Sequence, residues 1–318
     1  MNLVDRILTR PEFEHAPPVV VDIGASGGLN PAWRGIRRHS ICIAFDGDNQ
    51  GLKKVPRASA AYKQLYVYNL LVTPEGPGSA DFYFTRSATC SSLLPPNREQ
   101  LSEWAFADRF EVLEKREVKT TNLTTILNQL GLERIDWFKS DSQGTDLRLF
   151  ASLGNPILSR VLVAEFEPGI LDAYQGEDKL WQVLAFMESH DFWMSDMRVK
   201  GSQCLRTDLM TDFTNLEKRF APLFLKRSPG WGEIAYLNCF RRPDFTARDF
   251  LLGWVFAFLM KQYGFALQLA VTARERFDDP VFDDLRHRAI AMIRLSYLKP
   301  SAYLDLISRL LGKLRRQG

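Results

Sequence analysis

Between Val19 and Gly28 the chain reads Val-Val-Val-Asp-Ile-Gly-Ala-Ser-Gly-Gly, an apolar run that breaks into a turn of small residues. Val19, Val20, Val21 and Ile23 show no alternation, the pattern of a strand covered on both faces within a parallel sheet. Gly24, Gly27 and Gly28 allow unusual dihedrals and let a bound group approach the backbone with no Cβ in the way. A buried strand that runs into a glycine turn points to an α/β fold with its ligand at the strand ends.

The rest of the chain supplies the partners such a strand needs. Patterning predicts buried strands over Ser40–Phe45, Ile135–Ser140 and Arg160–Phe166, and further strands over Gln64–Leu71, Ala80–Thr85, Phe192–Met197 and Ile234–Phe240. Between them fall helical stretches at Trp33–His39, Asn122–Leu130, Asp146–Leu153 and Leu180–Ser189, with Thr121 or Asn122 as a cap and Gly131 as a stop. Ser87–Asn97 is polar and broken by proline, so it reads as a loop. A short helix is expected within residues 1–14, and the pattern is helical from Phe245 onward. This alternation implies a doubly wound, mostly parallel sheet with a C-terminal α-helical extension. The boundary falls near Pro243, giving domains 1–244 and 245–318.

Composition excludes several classes. Asp5, Arg6, Arg10, Glu12 and Glu14 interrupt any signal-peptide core, so a cytoplasmic protein is expected. Cys42, Cys90, Cys204 and Cys239 have no zinc or disulfide spacing. The densest apolar run, Phe250 to Met260, is too short to span a bilayer and reads as a buried helix. Net charge is +3, but from Arg286 onward eight Lys or Arg face one acid, Asp305, leaving the rest of the chain at −4. An acidic body with a basic tail does not fit a nucleic-acid binder. In residues 301–316 Leu304, Ile307, Leu311 and Leu314 share one face, suited to packing on the body, a homodimer, or peripheral contact with an anionic membrane. His15, His39, His190 and His287 are isolated, and none follows a core strand.

Two cofactor patterns compete for the turn. A dinucleotide fingerprint would put glycines where Ser26 and Leu29 stand. The spacing of Asp22, Gly24, Ser26 and Gly28 instead resembles the first motif of class I S-adenosylmethionine-dependent methyltransferases. Further on, Ile135-Asp136-Trp137-Phe138-Lys139-Ser140-Asp141-Ser142-Gln143-Gly144-Thr145-Asp146 resembles the hallmark of the FkbM methyltransferase family, with Asp146 in place of the usual Glu. Thr89-Cys90-Ser91-Ser92-Leu93-Leu94-Pro95-Pro96-Asn97 is similar to that family's serine-rich segment, and Gly230 to Tyr236 to its last strand. The resemblance covers Val19 to Phe240.

That resemblance implies a Rossmann-like seven-strand sheet and an S-adenosyl-L-methionine-dependent methyltransferase. It suggests O-methylation of a hydroxyl on a sugar, glycan precursor or secondary metabolite. The expected cofactor contacts are Asp22, Gly24, Ala25, Ser26, Gly28, Asp46, Ser92, Asp141 and Gln143, with Asp46 accepting from the ribose hydroxyls. Asp141 and Glu165 are the candidate catalytic carboxylates. Asp141 stands at a strand end, where it can meet cofactor, acceptor or a divalent ion, or cap the helix that follows. Lys139 is expected to pair with an acid, and Glu167, ahead of Pro168, to belong to a turn. A divalent metal is conceivable but not expected. The alternative to an enzyme is a non-catalytic scaffold that keeps the fold and binds a partner.

Overall fold

A computed structural model describes residues 2–25, 28–47 and 61–298. Ser26, Gly27 and the amphipathic tail at 301–316 lie outside the described residues. Two compact units divide the chain, Phe13–Arg241 in one and the described parts of Met1–Glu12 and Arg242–Gly318 in the other. Residues 1–12, expected with the first domain, therefore group with the C-terminal helices.

The larger unit contains β1 (Val19–Ile23), β2 (Ile41–Phe45), β3 (Gln64–Tyr68), β4 (Leu71–Val72), β5 (Gly78–Thr85), β6 (Val112–Thr121), β7 (Trp137–Ser140), β8 (Val163–Phe166), β9 (Phe192–Ser202) and β10 (Ser228–Asn238). Seven of them form one sheet in the order β3-β2-β1-β7-β8-β10-β9. Every pairing up to β8 is parallel, and β10 runs antiparallel to both its neighbours. Successive strands leave β1 in opposite directions across the sheet, so the carboxyl ends of β1 and β7 meet side by side.

Alternation along these strands sorts their side chains. Val19, Val21 and Ile23 of β1, Ile41, Ile43 and Phe45 of β2, Phe138 of β7, and Ala164 and Phe166 of β8 enter one core. They pack on Leu123, Ile126 and Leu127 of the helix Leu123–Leu130, Leu149 and Phe150 of Asp146–Ala151, and Val183 and Met187 of Leu180–Glu188. Phe138, Phe150 and Phe166 meet with ring centroids 5.0 to 5.9 Å apart, so emptying Phe150 to alanine would cost roughly 3–5 kcal/mol. Asn122 accepts from Thr125 N at 2.8 Å and Gly131, at φ 63°, ends that helix.

Three features differ from expectation. β6 carries Glu114, Lys115, Arg116, Glu117 and Lys119, so charge on both faces hides it; β5 holds it through a long antiparallel ladder and a Lys115–Asp81 pair at 2.7 Å. It completes a second sheet, β4-β6-β5. The short helix expected over Trp33–His39 is two 3-10 turns, Pro31–Gly35 and Arg37–His39. β9 and β10 extend well beyond the expected segments as one antiparallel ribbon, whose mutual pairing replaces the apolar alternation that sequence reading requires.

The smaller unit is helical, comprising Leu3–Leu8, Ala247–Leu259, Tyr263–Phe277 and Val281–Ser296. Thr246 and Asp249 form a capping box at the start of the apolar helix, where Phe250 to Ala257 are all buried. Arg6 reaches Asp284 at 2.8 Å and Arg10 reaches Asp279 at 2.5 Å, which fastens the N-terminal segment to the helix Val281–Ser296 and to the turn before it. Among the described residues no helix is long and apolar enough to cross a membrane.

Candidate active site

Three charged residues stand in one row across the centre of the sheet. Asp22 on β1 is in register with Lys139 on β7, and Lys139 with Glu165 on β8. Lys139 Nζ lies 2.7 Å from Asp22 Oδ1. Asn30, just after the glycine turn, spans the row: its N–H donates to Asp22 Oδ2 at 3.0 Å, and its Nδ2 to Glu165 Oε1 at 3.1 Å. Trp137 Nε1 donates to the same Glu165 oxygen at 2.6 Å. Burial alone would depress the Lys139 pKa, yet Asp22, Asp141 and Glu165 together raise it and keep the ammonium charged.

This row changes two expected roles. Asp22 has no exposed surface and both oxygens engaged, so it braces the turn from beneath instead of presenting an oxygen to a ligand. Glu165, expected as a base, gives its oxygens to Trp137 and Asn30 and does not line the cavity described below. Lys139 is paired with an acid, as expected.

The turn is built on two glycines with different needs. Gly24 has φ 82°, and a Cβ placed on it would lie 2.1 Å from the Asp141 carbonyl oxygen. Its N–H donates to Phe45 O at 3.0 Å, while Asp141 N donates to Ile23 O at 2.9 Å, so β1, β2 and β7 close on one point. Gly28 has φ 101° and faces open space. Ala25 is fully buried against Ala44, Leu29, Leu65 and Val67, and its carbonyl accepts from Gly28 N at 2.9 Å. Asp46 follows directly on β2, beside this turn, with 8% of its surface exposed. The main-chain room at Gly28 and the carboxylate at Asp46 suit a nucleoside-type ligand with vicinal hydroxyls.

The exit from β7 is a knot of short side chains. Asp146 Oδ1 accepts from Ser140 Oγ at 2.6 Å and Ser142 N at 2.8 Å, and Oδ2 accepts from Glu167 N at 2.8 Å. The residue that departs from the family pattern thereby ties the β7 turn to the end of β8. Asp141 does not cap the following helix, whose N-cap is Thr145. Its Oδ1 accepts from Gln143 Nε2, and Gln143 is held in the left-handed region at φ 59°. The Tyr174 hydroxyl lies 3.0 Å from Gln143 Oε1 and 2.9 Å from Cys90 O. Ser92 Oγ donates to Gln143 O at 2.7 Å and accepts from Leu94 N at 3.0 Å, so Ser92, expected at the cofactor, is buried and fixes Gln143 instead. Burial pushes Asp141 up to about 6, with Asp146 adding to the rise and Lys139 and Gln143 opposing it.

Beyond this turn opens a cavity of about 330 Å3. Asp141, Gln143 and Gly144 form one side, Glu167, Trp231 and Glu233 a second, and Phe106, Arg109 and Phe110 a third. The Phe106 and Trp231 rings stack with centroids 6.4 Å apart and planes 27° apart. Burial, then the charges of Asp141, Asp146 and Glu233, push Glu167 up to about 9. Glu167, expected to belong to a turn, stands just past the end of β8 and lines the cavity. Tyr174, Arg109 and Phe106 lie on segments with no strand-end signal, and nothing in their local pattern marks them. Among the described residues no three His, Cys, Asp or Glu side chains are placed to hold a metal ion.

A seven-stranded α/β sheet with a glycine turn after its first strand and a carboxylate after the neighbouring one defines a methyltransferase-like architecture. A family model described as the methyltransferase FkbM domain matches residues 36–204, and the chain belongs to that family. The match runs from just before β2 to just past β9, so the Asp22–Gly28 turn lies ahead of it. No curated protein matches the chain.

Proposed function

We propose that this methyltransferase uses S-adenosyl-L-methionine to methylate a hydroxyl of a sugar, glycan precursor or secondary metabolite. In this reading the sheet is doubly wound about β1, with its switch point between β1 and β7. The Gly24–Gly28 turn and Ala25 would hold the cofactor by main-chain contact, and Asp46 would accept from its ribose hydroxyls. The bound cofactor supplies an electrophilic methyl group on a sulfonium. The remaining work falls to side chains of the chain itself.

Asp141 would take the proton of the acceptor hydroxyl, a role supported by its hold on Gln143, which Tyr174 orients, and by burial that lifts its basicity. Glu167 stays protonated near neutrality and can donate to a second acceptor oxygen. Phe106 and Trp231 offer a flat apolar wall on which a ring face can lie. The observation that carries the reading is the chain Tyr174–Gln143–Asp141, which points one carboxylate into the cavity where β7 touches the glycine turn.

Calorimetry with the cofactor and transfer of labelled methyl to a panel of hydroxylated acceptors test it together. Binding by the wild type, its loss in Asp46→Ala, and retained binding without transfer in Asp141→Asn are expected. Absence of wild-type binding, or equal transfer by Asp141→Asn, would refute it.

A further inference from the structure

The excursion between β9 and β10 carries the helix Asn215–Phe224. It is a properly started helix: Thr214 N and Oγ1 donate to Glu217 Oε2 at 2.8 Å, and Glu217 N donates back to Thr214 Oγ1 at 3.3 Å. Its apolar residues, however, point outward. Leu216, Phe220, Leu223 and Phe224, spaced i, i+4, i+7 and i+8, are 65, 40, 69 and 82% exposed, and Leu225 continues the stripe at 44%. Four large apolar side chains on one outward helix face form a contiguous patch, which marks an interaction surface rather than scattered exposure.

Charge identifies the surface that fits this patch. Residues 213–227 hold Lys218, Arg219, Lys226 and Arg227 against the single acid Glu217, which is spent on the cap. No described acid pairs with Lys218, Lys226 or Arg227. Lys226 and Arg227 are exposed directly beyond the aromatic end of the stripe. A second copy of the same patch would bring two cationic clusters face to face, so self-association is disfavoured. An apolar stripe of Phe and Leu flanked by Lys and Arg is the composition of a helix that lies in the plane of an anionic bilayer.

We propose that the helix Asn215–Phe224 docks the protein on an anionic membrane surface, with Phe220, Leu223 and Phe224 entering the headgroup boundary and Lys226 and Arg227, just beyond its end, meeting lipid phosphates. The inference is independent of the acceptor and of the catalytic reading.

Co-sedimentation of the full chain with vesicles tests it. The probe is phosphatidylcholine containing about 30% phosphatidylglycerol, against pure phosphatidylcholine. The full chain should bind the anionic vesicles, and raising salt from about 0.05 to about 0.5 M should weaken binding. Leu223→Ser with Phe224→Ser, and separately Lys226→Glu with Arg227→Glu, should each lower the bound fraction roughly tenfold. The altered side chains are exposed, and unchanged thermal melts confirm that both variants fold. No binding by the full chain would overturn the proposal. So would undiminished binding by either variant, which places the contact elsewhere, including residues 301–318. A dimer seen by light scattering without lipid and lost in the Leu223, Phe224 variant would assign the patch to a second copy and overturn it too.

Discussion

Lys139 Nζ stands 2.7 Å from Asp22 Oδ1 on one neighbouring strand and in register with Glu165 on the other. One cation thus compensates two inward-facing acids. Removing it as Lys139→Met leaves both unpaired and should cost about 3–5 kcal/mol. Burial already holds Asp22 and Glu165 above their ordinary values, so the folded chain binds protons there that the unfolded chain releases. Stability of the variant should therefore fall as pH rises above the ordinary carboxylate range. Urea unfolding from about pH 4 upward checks this, and a deficit that shrinks with rising pH would contradict it.

Gly24 and Gly28 both have positive φ, but only Gly24 lies against backbone. Gly28→Ala should cost about 1–3 kcal/mol from conformation alone. Gly24→Ala adds a clash with the Asp141 carbonyl, which cannot move without parting β1 from β7. It should be the more destabilising and should weaken cofactor binding as well. Parallel denaturation curves and calorimetry of the two variants decide the order.

Asp141 and Glu167 should set the pH limits of methyl transfer. The rate should drop below a value near 6, where Asp141 takes up its proton, and above a value near 9, where Glu167 loses its own. Asp141→Asn should cost about a hundredfold or more in kcat. Glu167→Gln imitates the protonated acid, so it should keep most activity while abolishing the alkaline limb; a limb that persists would clear Glu167. For stability the sign is separate. In the wild type the raised Glu167 binds a proton that the unfolded chain lacks, so its contribution is lost as pH rises toward 9, and Glu167→Gln should lose less over that range.

Trp231→Ala removes one half of the aromatic stack with Phe106. KM for a ring-bearing acceptor should rise roughly tenfold while cofactor affinity stays as it was. Steady-state kinetics beside calorimetry separate the two, and a matched loss of both would mean that the ribbon itself had shifted.

The sequence made the parallel half of the sheet visible because β1, β2 and β8 are mostly apolar runs and β7 opens on Trp137 and Phe138. β6 escaped because its charges face solvent on both sides and only its ladder to β5 keeps it extended. The same contrast holds in the site. Gly24, Asp46 and Asp141 follow strands, so strand ends alone single them out as candidates. Glu165 sits within β8, where alternation turns it onto the sheet face beside Lys139, a placement that a strand-end reading does not distinguish. Ser92 and Tyr174 act on Gln143 from segments far away in the chain, a relation that no local spacing records.

Thr89, Cys90, Phe106, Arg109 and Phe110, which form one wall of the cavity, all fall between the end of β5 and the start of β6. That connection is clamped at both ends by the small sheet, which contributes no strand to the β1–β7 junction. Divergence can therefore rewrite this wall while Gly24 and Asp141 stay locked together. In the proposed reading this wall is the place to seek acceptor choice, and a graft of residues 86–111 must keep Cys90 and Ser92, whose bonds to Tyr174 and Gln143 hold the Asp141 turn.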